Sequence, residues 1–308
     1  MVQLLNPHAS ADLESEGFGE GQIPGNGKRT ISLKRMSGIL NQGKMLPLSM
    51  LSSLSLELTL CDPSEWLHTS STRSTDYNIE NVSLAADLIT LDPALQQQYY
   101  THLLSQNLLP IRYSTYIVTT QAITGSDFSI NLSRSVSRLQ SIFFSFENST
   151  QRATTDTVKR VNDLYHPAQG SFDLQQEFTF QVKIGSKRHP LSPAKGFGAQ
   201  LQKLNQAVGI SNSTCFNLSM DSAEYRGKST TSTREGGHFV AGIDLEKVSN
   251  LSWTGVDTRA GDLISIDCKN CGESSGSGSP NGHPTAITVV LFCECVMNIR
   301  DNGIDIID

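Results

Sequence analysis

The stretch Phe178-Thr179-Phe180-Gln181-Val182-Lys183-Ile184 alternates apolar and polar side chains without a break. In an extended chain successive side chains point to opposite faces, so Phe178, Phe180, Val182 and Ile184 share one face while Thr179, Gln181 and Lys183 share the other. That is a strand with one face in a core and one toward water. Residues 54–60 repeat the pattern, Leu54, Leu56, Leu58 and Leu60 interleaving with Ser55, Glu57 and Thr59, and the same reading makes Leu56 and Leu58 core residues. Residues 286–296 are apolar almost throughout, which suits a central strand covered on both faces.

Working outward, strand signals also occupy residues 29–34, 82–91, 112–123, 128–132, 139–146, 214–218, 239–245, 263–268, 287–297 and 304–307. Asp301-Asn302-Gly303 supplies the tight turn before the last of these, because Asn-Gly adopts positive φ at little cost. Two segments carry helical spacing. Asp92-Pro93 places an N-cap residue before a proline at the first helical position, followed by Leu95, Tyr99, His102 and Leu103. The second, over residues 195–208, carries Phe197, Leu201, Leu204 and Val208 on one stripe. A dozen strands with two short helices predict an all-β fold, an antiparallel sandwich of jelly-roll type, double or partial double.

Residues 1–28 hold five glycines after position 16 and no hydrophobic pattern, and are expected to form a flexible N-terminal arm. The reading then divides the chain into residues 29–76, part of a first sandwich, and residues 77–308, a C-terminal sandwich. Charged residues make up 18% of the chain and the formal net charge is −6, a balance that gives no footprint for sequence-specific nucleic-acid binding. No apolar run reaches the roughly 20 residues that span a bilayer, and the N-terminus lacks the basic start and apolar stretch of a signal peptide. The expectation is synthesis as a soluble intracellular protein, with the sequons at Asn81, Asn131, Asn148, Asn212, Asn217 and Asn250 unused.

The candidate chemistry is thin. Cys268-x-x-Cys271 and Cys293-x-Cys295 have the ligand types for tetrahedral zinc. If residues 263–268 and 287–297 form a hairpin, however, the two pairs sit roughly 20 Å apart at about 3.3 Å per residue, so they are read as structural thiols. Gly272-Glu273-Ser274-Ser275-Gly276 has the letters of a nucleophile elbow without the flanking strand and helix. Gly25-Asn26-Gly27-Lys28 lacks the rest of a phosphate loop. His8, His68, His102, His166, His189, His238 and His283 show no ligand spacing, and Asp244, Glu246, Asp257 and Asp262 are turn carboxylates more readily than a calcium set. The reading assigns no catalytic, cofactor or metal residue, and no enzymatic activity.

The segments Ser37-Gly-Ile-Leu-Asn-Gln-Gly-Lys-Met-Leu-Pro-Leu48 and Tyr77-Asn-Ile-Glu-Asn-Val-Ser-Leu-Ala-Ala-Asp-Leu-Ile-Thr-Leu-Asp92, followed by Leu108-Leu-Pro-Ile-Arg-Tyr113 and Arg138-Leu-Gln-Ser-Ile-Phe-Phe-Ser-Phe146, then 239–246 and Arg300-Asp-Asn-Gly303, carry a resemblance in order and character. The chain resembles the double jelly-roll major capsid proteins of small and medium DNA viruses, the virophage-like and Polinton-like groups most nearly. The resemblance covers residues 30–308 and rests on diffuse patterns. It implies a capsid protein of a virion, built from identical subunits as a homotrimer that tiles with other capsid proteins, with no catalytic residue to carry over. In that family a complete jelly roll precedes the 37–60 type of segment, so the first sandwich here is either truncated or compact. The alternative from a different class is a β-sandwich adhesin or carbohydrate-binding module, although Trp66 and Trp253 are the only tryptophans and aromatic residues are 7% of the chain. A hydrolase on a β scaffold is a third and more distant reading.

Overall fold

The computed structural model describes residues 27–28, 30, 38–40, 45–51, 54–60, 77–105, 108–147, 177–209, 225, 228–229, 234–235, 239–246, 254–259, 262–271, 283–300 and 303–307. Its elements are α1 (Pro93–Leu104), β1 (Leu109–Ala122), β2 (Phe128–Leu132), β3 (Leu139–Glu147), β4 (Thr179–Ile184), β5 (Lys187–Lys195), α2 (Phe197–Val208), β6 (Lys228–Ser229), β7 (Arg234–Glu235), β8 (Ala241–Asp244), β9 (Ile264–Lys269), β10 (Ala286–Arg300) and β11 (Gly303–Ile307). Short 3-10 turns at Gly38–Leu40 and Leu48–Met50 precede α1.

Eight strands form two facing sheets, one ordered β1-β10-β3-β8 and the other β2-β9-β4-β5, with β11 hairpinned onto the far end of β10 and β6-β7 a separate small ribbon. All pairings are antiparallel. Consecutive strands cross between the sheets, β1 to β2 and β9 to β10, so that the first and last of the eight are neighbours. This interleaved order is that of a jelly roll, and the expected all-β sandwich is what the chain forms.

One face of β4 supplies Phe178, Phe180, Val182 and Ile184 to the core, as the alternation requires. From the facing sheet come Ile142, Phe144 and Phe146 of β3 and Ile287, Val289 and Leu291 of β10. Aromatic rings join the two layers edge to face: Phe144 meets Phe180 at 5.2 Å and Phe146 meets Phe178 at 5.8 Å between centroids. Such contacts add roughly 0.5–1.5 kcal/mol each to the burial of the rings. Tyr225 and Phe239 extend the cluster, and the buried Tyr225 hydroxyl donates to the Val240 carbonyl at 3.3 Å.

The helix α2 begins at Gly196 and ends at Gly209, whose φ of +81° makes the left-handed cap that favours glycine. It packs on β8, β3 and β5. At Gly242 a Cβ would lie 2.9 Å from Leu204 Cδ1 and 3.1 Å from Ala207 Cβ, so glycine is what lets the helix approach the strand. Gln200 on its buried side donates to the Phe178 carbonyl at 3.0 Å. In α1, Pro93 occupies the first turn as expected, but Asp92 makes no side-chain cap bond. Leu103 is buried whereas Leu95 and Tyr99 are exposed, so the expected apolar stripe of α1 faces mostly outward.

Two expectations are corrected and one strand is added. Residues 54–60 and 82–91 form no ladder among the described residues, and Leu56 and Leu58, expected in the core, are 63% and 60% exposed. Alternation sets the two faces of a strand but provides no neighbour to pair with. Residues 263–268 and 287–297 form no hairpin: β9 and β10 belong to opposite sheets. Finally, β5 carries no apolar alternation and was not expected. It is an edge strand with Pro190 and Pro193, where a missing N–H costs no central ladder bond. The expected strand at 214–218 and nearly all of 29–34 lie outside the described residues.

Candidate functional site

The described side chains place the chemistry candidates apart. Cys268 lies in β9 opposite both Phe128 and Phe180, while Cys293 lies in β10 opposite Thr115 and Leu139. The His283 Nδ1 is 3.3 Å from the Cys271 carbonyl oxygen, which sets Cys271 level with the start of β10. From Ala286 to Cys293 the strand then runs about 23 Å at about 3.3 Å per residue. The separation between the pairs therefore arises from the two-sheet topology and not from the expected hairpin. All four are buried thiols. Burial pushes the thiols of Cys268 and Cys271 up, reinforced by Asp267 at Cys268 and by Cys268 and Asp127 at Cys271, so both stay protonated. Among the described residues no group of His, Cys, Asp and Glu is arranged to hold a metal ion.

The acidic residues serve their own turns. Asp244 Oδ1 accepts the Glu246 N–H and Asp257 Oδ1 accepts the Arg259 N–H, each at 2.9 Å, and Asp262 lies against Gly185. His102 ends α1, His189 lies in β5 and His283 precedes β10, three separate places in the fold. Residues 272–276, Gly25, Asn26, His8, His68, His166, His238, Trp66 and Trp253 lie outside the described residues. Lys28 forms an ion pair with Glu80 at 2.6 Å.

What the structure does assemble is a second apolar cluster at one end of the sandwich, next in the chain to a run of exposed apolar residues. β10 outruns β9 and the opposing sheet, and its last inward residues, Met297 and Ile299, form a second core with Ile111 and Leu103. Ile39, Leu46 and Leu51 of the N-terminal segment pack against this cluster. Gly38 is held there by close approach, since a Cβ on it would collide with the Ser114 carbonyl. Beyond it the chain stays apolar and exposed: Leu54, Leu56, Leu58 and Leu60, then Ile79, Val82, Leu84, Leu88 and Ile89. On the neighbouring hairpin, Ile304 opposes Ile299 and Ile306 opposes Met297, so both continue the face of the second core, yet both are exposed. Exposed apolar surface beyond a few hundred Å² marks an interaction surface more often than a free one. The sequence signal was present in the leucine alternation at 54–60, but it reads equally well as core.

No protein-family model and no curated protein matches the sequence. Solved structures with a similar chain path include the PBCV-1 VP54 protein fitted into a reconstruction of the virophage Sputnik, at 11% identity and a TM-score of 0.42, covering 70% of this chain and 54% of that one. The PBCV-1 virus capsid is similar at 11% identity and a TM-score of 0.41, with the same coverage of 70% and 54%. The Sputnik virophage solved by cryo-electron microscopy is similar at 12% identity and a TM-score of 0.34, covering 65% and 38%. The chain spans about half the length of the first two. The jelly-roll assignment rests on the strand order itself. Among the described residues no helix is long and apolar enough to cross a membrane.

Proposed function

We propose that this protein is a non-catalytic capsid-type subunit of a DNA virus, which self-associates into trimeric capsomers and tiles with other capsid proteins in the virion. The observation that carries the reading is that Leu54, Leu56, Leu58 and Leu60 alternate as a strand does, follow Leu51 of the second core in the chain, and are exposed without a ladder partner among the described residues. A jelly-roll body with strand-like segments left over is suited to burying them against copies of itself. In this reading residues 1–28 are an arm, residues 29–76 belong to a partial first jelly roll, and residues 77–308 hold the second. The capsid resemblance of the sequence supports the same assignment.

Sedimentation velocity across a thousandfold range of concentration, with negative-stain imaging, tests it. The expected result is a shift from subunit to trimer mass, with threefold particles in the images. A stable monomer that binds a glycan array favours the adhesin reading instead, since jelly rolls also serve lectins.

A further inference from the structure

Each sheet edge of a β protein is a template for another strand unless it is guarded. The edges of this sandwich differ in how they are guarded. β5 carries Pro190, Pro193, Lys187, Arg188 and Lys195, which deter pairing by lost donors and by charge. β8 lies under α2, close enough that Gly242 has no room for a methyl group. β1 has the Gly38–Leu40 turn against its Ser114 carbonyl, and the Asn131 carbonyl of β2 is taken by the Gln121 side-chain amide at 2.9 Å. β11 has none of these. Among the described residues its backbone pairs with β10 alone, on one side, it contains neither proline nor lysine, and Ile304, Ile306 and Ile307 are all exposed.

The same chain presents a matching strand. Residues 54–60 form neither a helix nor a ladder among the described residues, carry leucines at every second position, and so present one apolar face when extended. We infer that residues 54–60 of one copy pair antiparallel with the outer edge of β11 in a second copy, Leu54 opposite Ile306 and Leu56 opposite Ile304. This register sets Ser55 opposite Asp305 and Glu57 opposite Gly303, whose β10 partner is Arg300. Arg300 lies two strands from Glu57 with its guanidinium 3.4 Å from Asp305, so this register brings Glu57 to the cationic end of that pair, whereas a shift by two residues in one direction sets Glu57 against Asp305 itself and opposes like charges. Two β11 strands paired centrally with each other oppose Asp305 to Asp305 in the same way.

The leucine face also continues an existing core. Ile304 and Ile306 lie on the side of β10 that carries Ile299 and Met297, so Leu54 and Leu56 extend that cluster by one strand. In this register Leu54 and Leu56 of one copy meet Ile304 and Ile306 of the other on one face, an apolar patch to which the main-chain ladder adds its hydrogen bonds. Leu51 packs beside Met297 and Ile299, so donor and acceptor sit at one end of each molecule. Exchange can then close into a ring in which every copy gives one strand and receives one.

The inference rests on the self-association reading, and the test separates the two. Amide hydrogen exchange is followed in β11 of the full chain at assembling and at dilute concentrations, alongside sedimentation of Leu56→Lys, Ile306→Lys and Leu191→Lys. The β11 amides should exchange at least tenfold more slowly in the assembly. Leu56→Lys and Ile306→Lys should each raise the assembly concentration at least tenfold, and Leu191→Lys, on the guarded edge, less than twofold. An assembly whose β11 amides exchange as fast as the dilute chain's, or Ile306→Lys that assembles like the parent, overturns strand exchange and leaves self-association standing. A monomer at all concentrations overturns both, and one whose β11 amides are nonetheless slow places the pairing within a single copy.

Discussion

Phe180 is 1% exposed and wedged between Phe144 and Phe178, so truncation to alanine leaves a cavity that rigid sheets on both sides cannot close. Phe180→Ala is expected to cost about 3–5 kcal/mol in urea denaturation, within the range for large buried side chains. Leu58 shares the same alternation and is exposed, so Leu58→Ala in the dilute chain should change stability by less than about 0.5 kcal/mol. A larger loss there would mean that residues 54–60 are already covered in the single copy. His189 gives a pH dependence. Its Nε2 is buried without a hydrogen-bond partner among the described residues, and burial, with Lys187 second, holds its pKa below the usual 6.5. The unfolded chain therefore binds the proton more readily than the native one. The contribution is complete above pH 6.5 and is lost as pH falls through 6.5 toward the lower native value. Urea midpoints at pH 8 and pH 5.5 should fall more for the parent than for His189→Gln; equal falls would show that this imidazole is not the group responsible.

The pair β4 and β5 shows how an unpromising sequence becomes a strand. The register runs from Phe180 opposite Ala194 to Val182 opposite His189, so Gln181 alone spans the outward loop of residues 190–193. Pro190 and Pro193 have no N–H to give, and the carbonyls left in the bulge need another donor. The Gln181 amide donates to the Pro190 and Leu191 carbonyls at 2.8 and 3.0 Å. Gln181→Leu keeps the volume and removes both bonds, so it should cost about 1–3 kcal/mol and speed amide exchange across β5. Unchanged exchange in β5 would show that the bulge holds without the glutamine. Nothing in the letters of 187–195 suggests this strand, because its partner and its bulge, not its own propensity, make it extended.

Across the molecule, one core joins both sheets, with Cys268 and Cys271 on the side of β9 and Cys293 and Cys295 on β10. If the sandwich opens as a unit, these four thiols should become alkylated together, at the urea concentration where the β circular dichroism is lost. Mass spectrometry of the four peptides checks this, and labelling of the β10 pair at lower urea would mean that the sheets separate before they unfold. The sequence by itself determined the faces: which side of β4 is buried, where β2 begins and ends, the apolar stripe of α2, and the apolar character of β10. Each is a local consequence of side-chain period or apolar content, readable without knowing any neighbour. Only the tertiary structure decided that β9 and β10 lie in opposite sheets, that β5 is a strand, and that Leu54, Leu56, Leu58 and Leu60 stand outside the core. Alternation records that a strand has an apolar face, but the partner that covers the face comes from contacts between residues far apart in the chain, and two strands of the same pattern differ only in whether the fold brings a sheet to them.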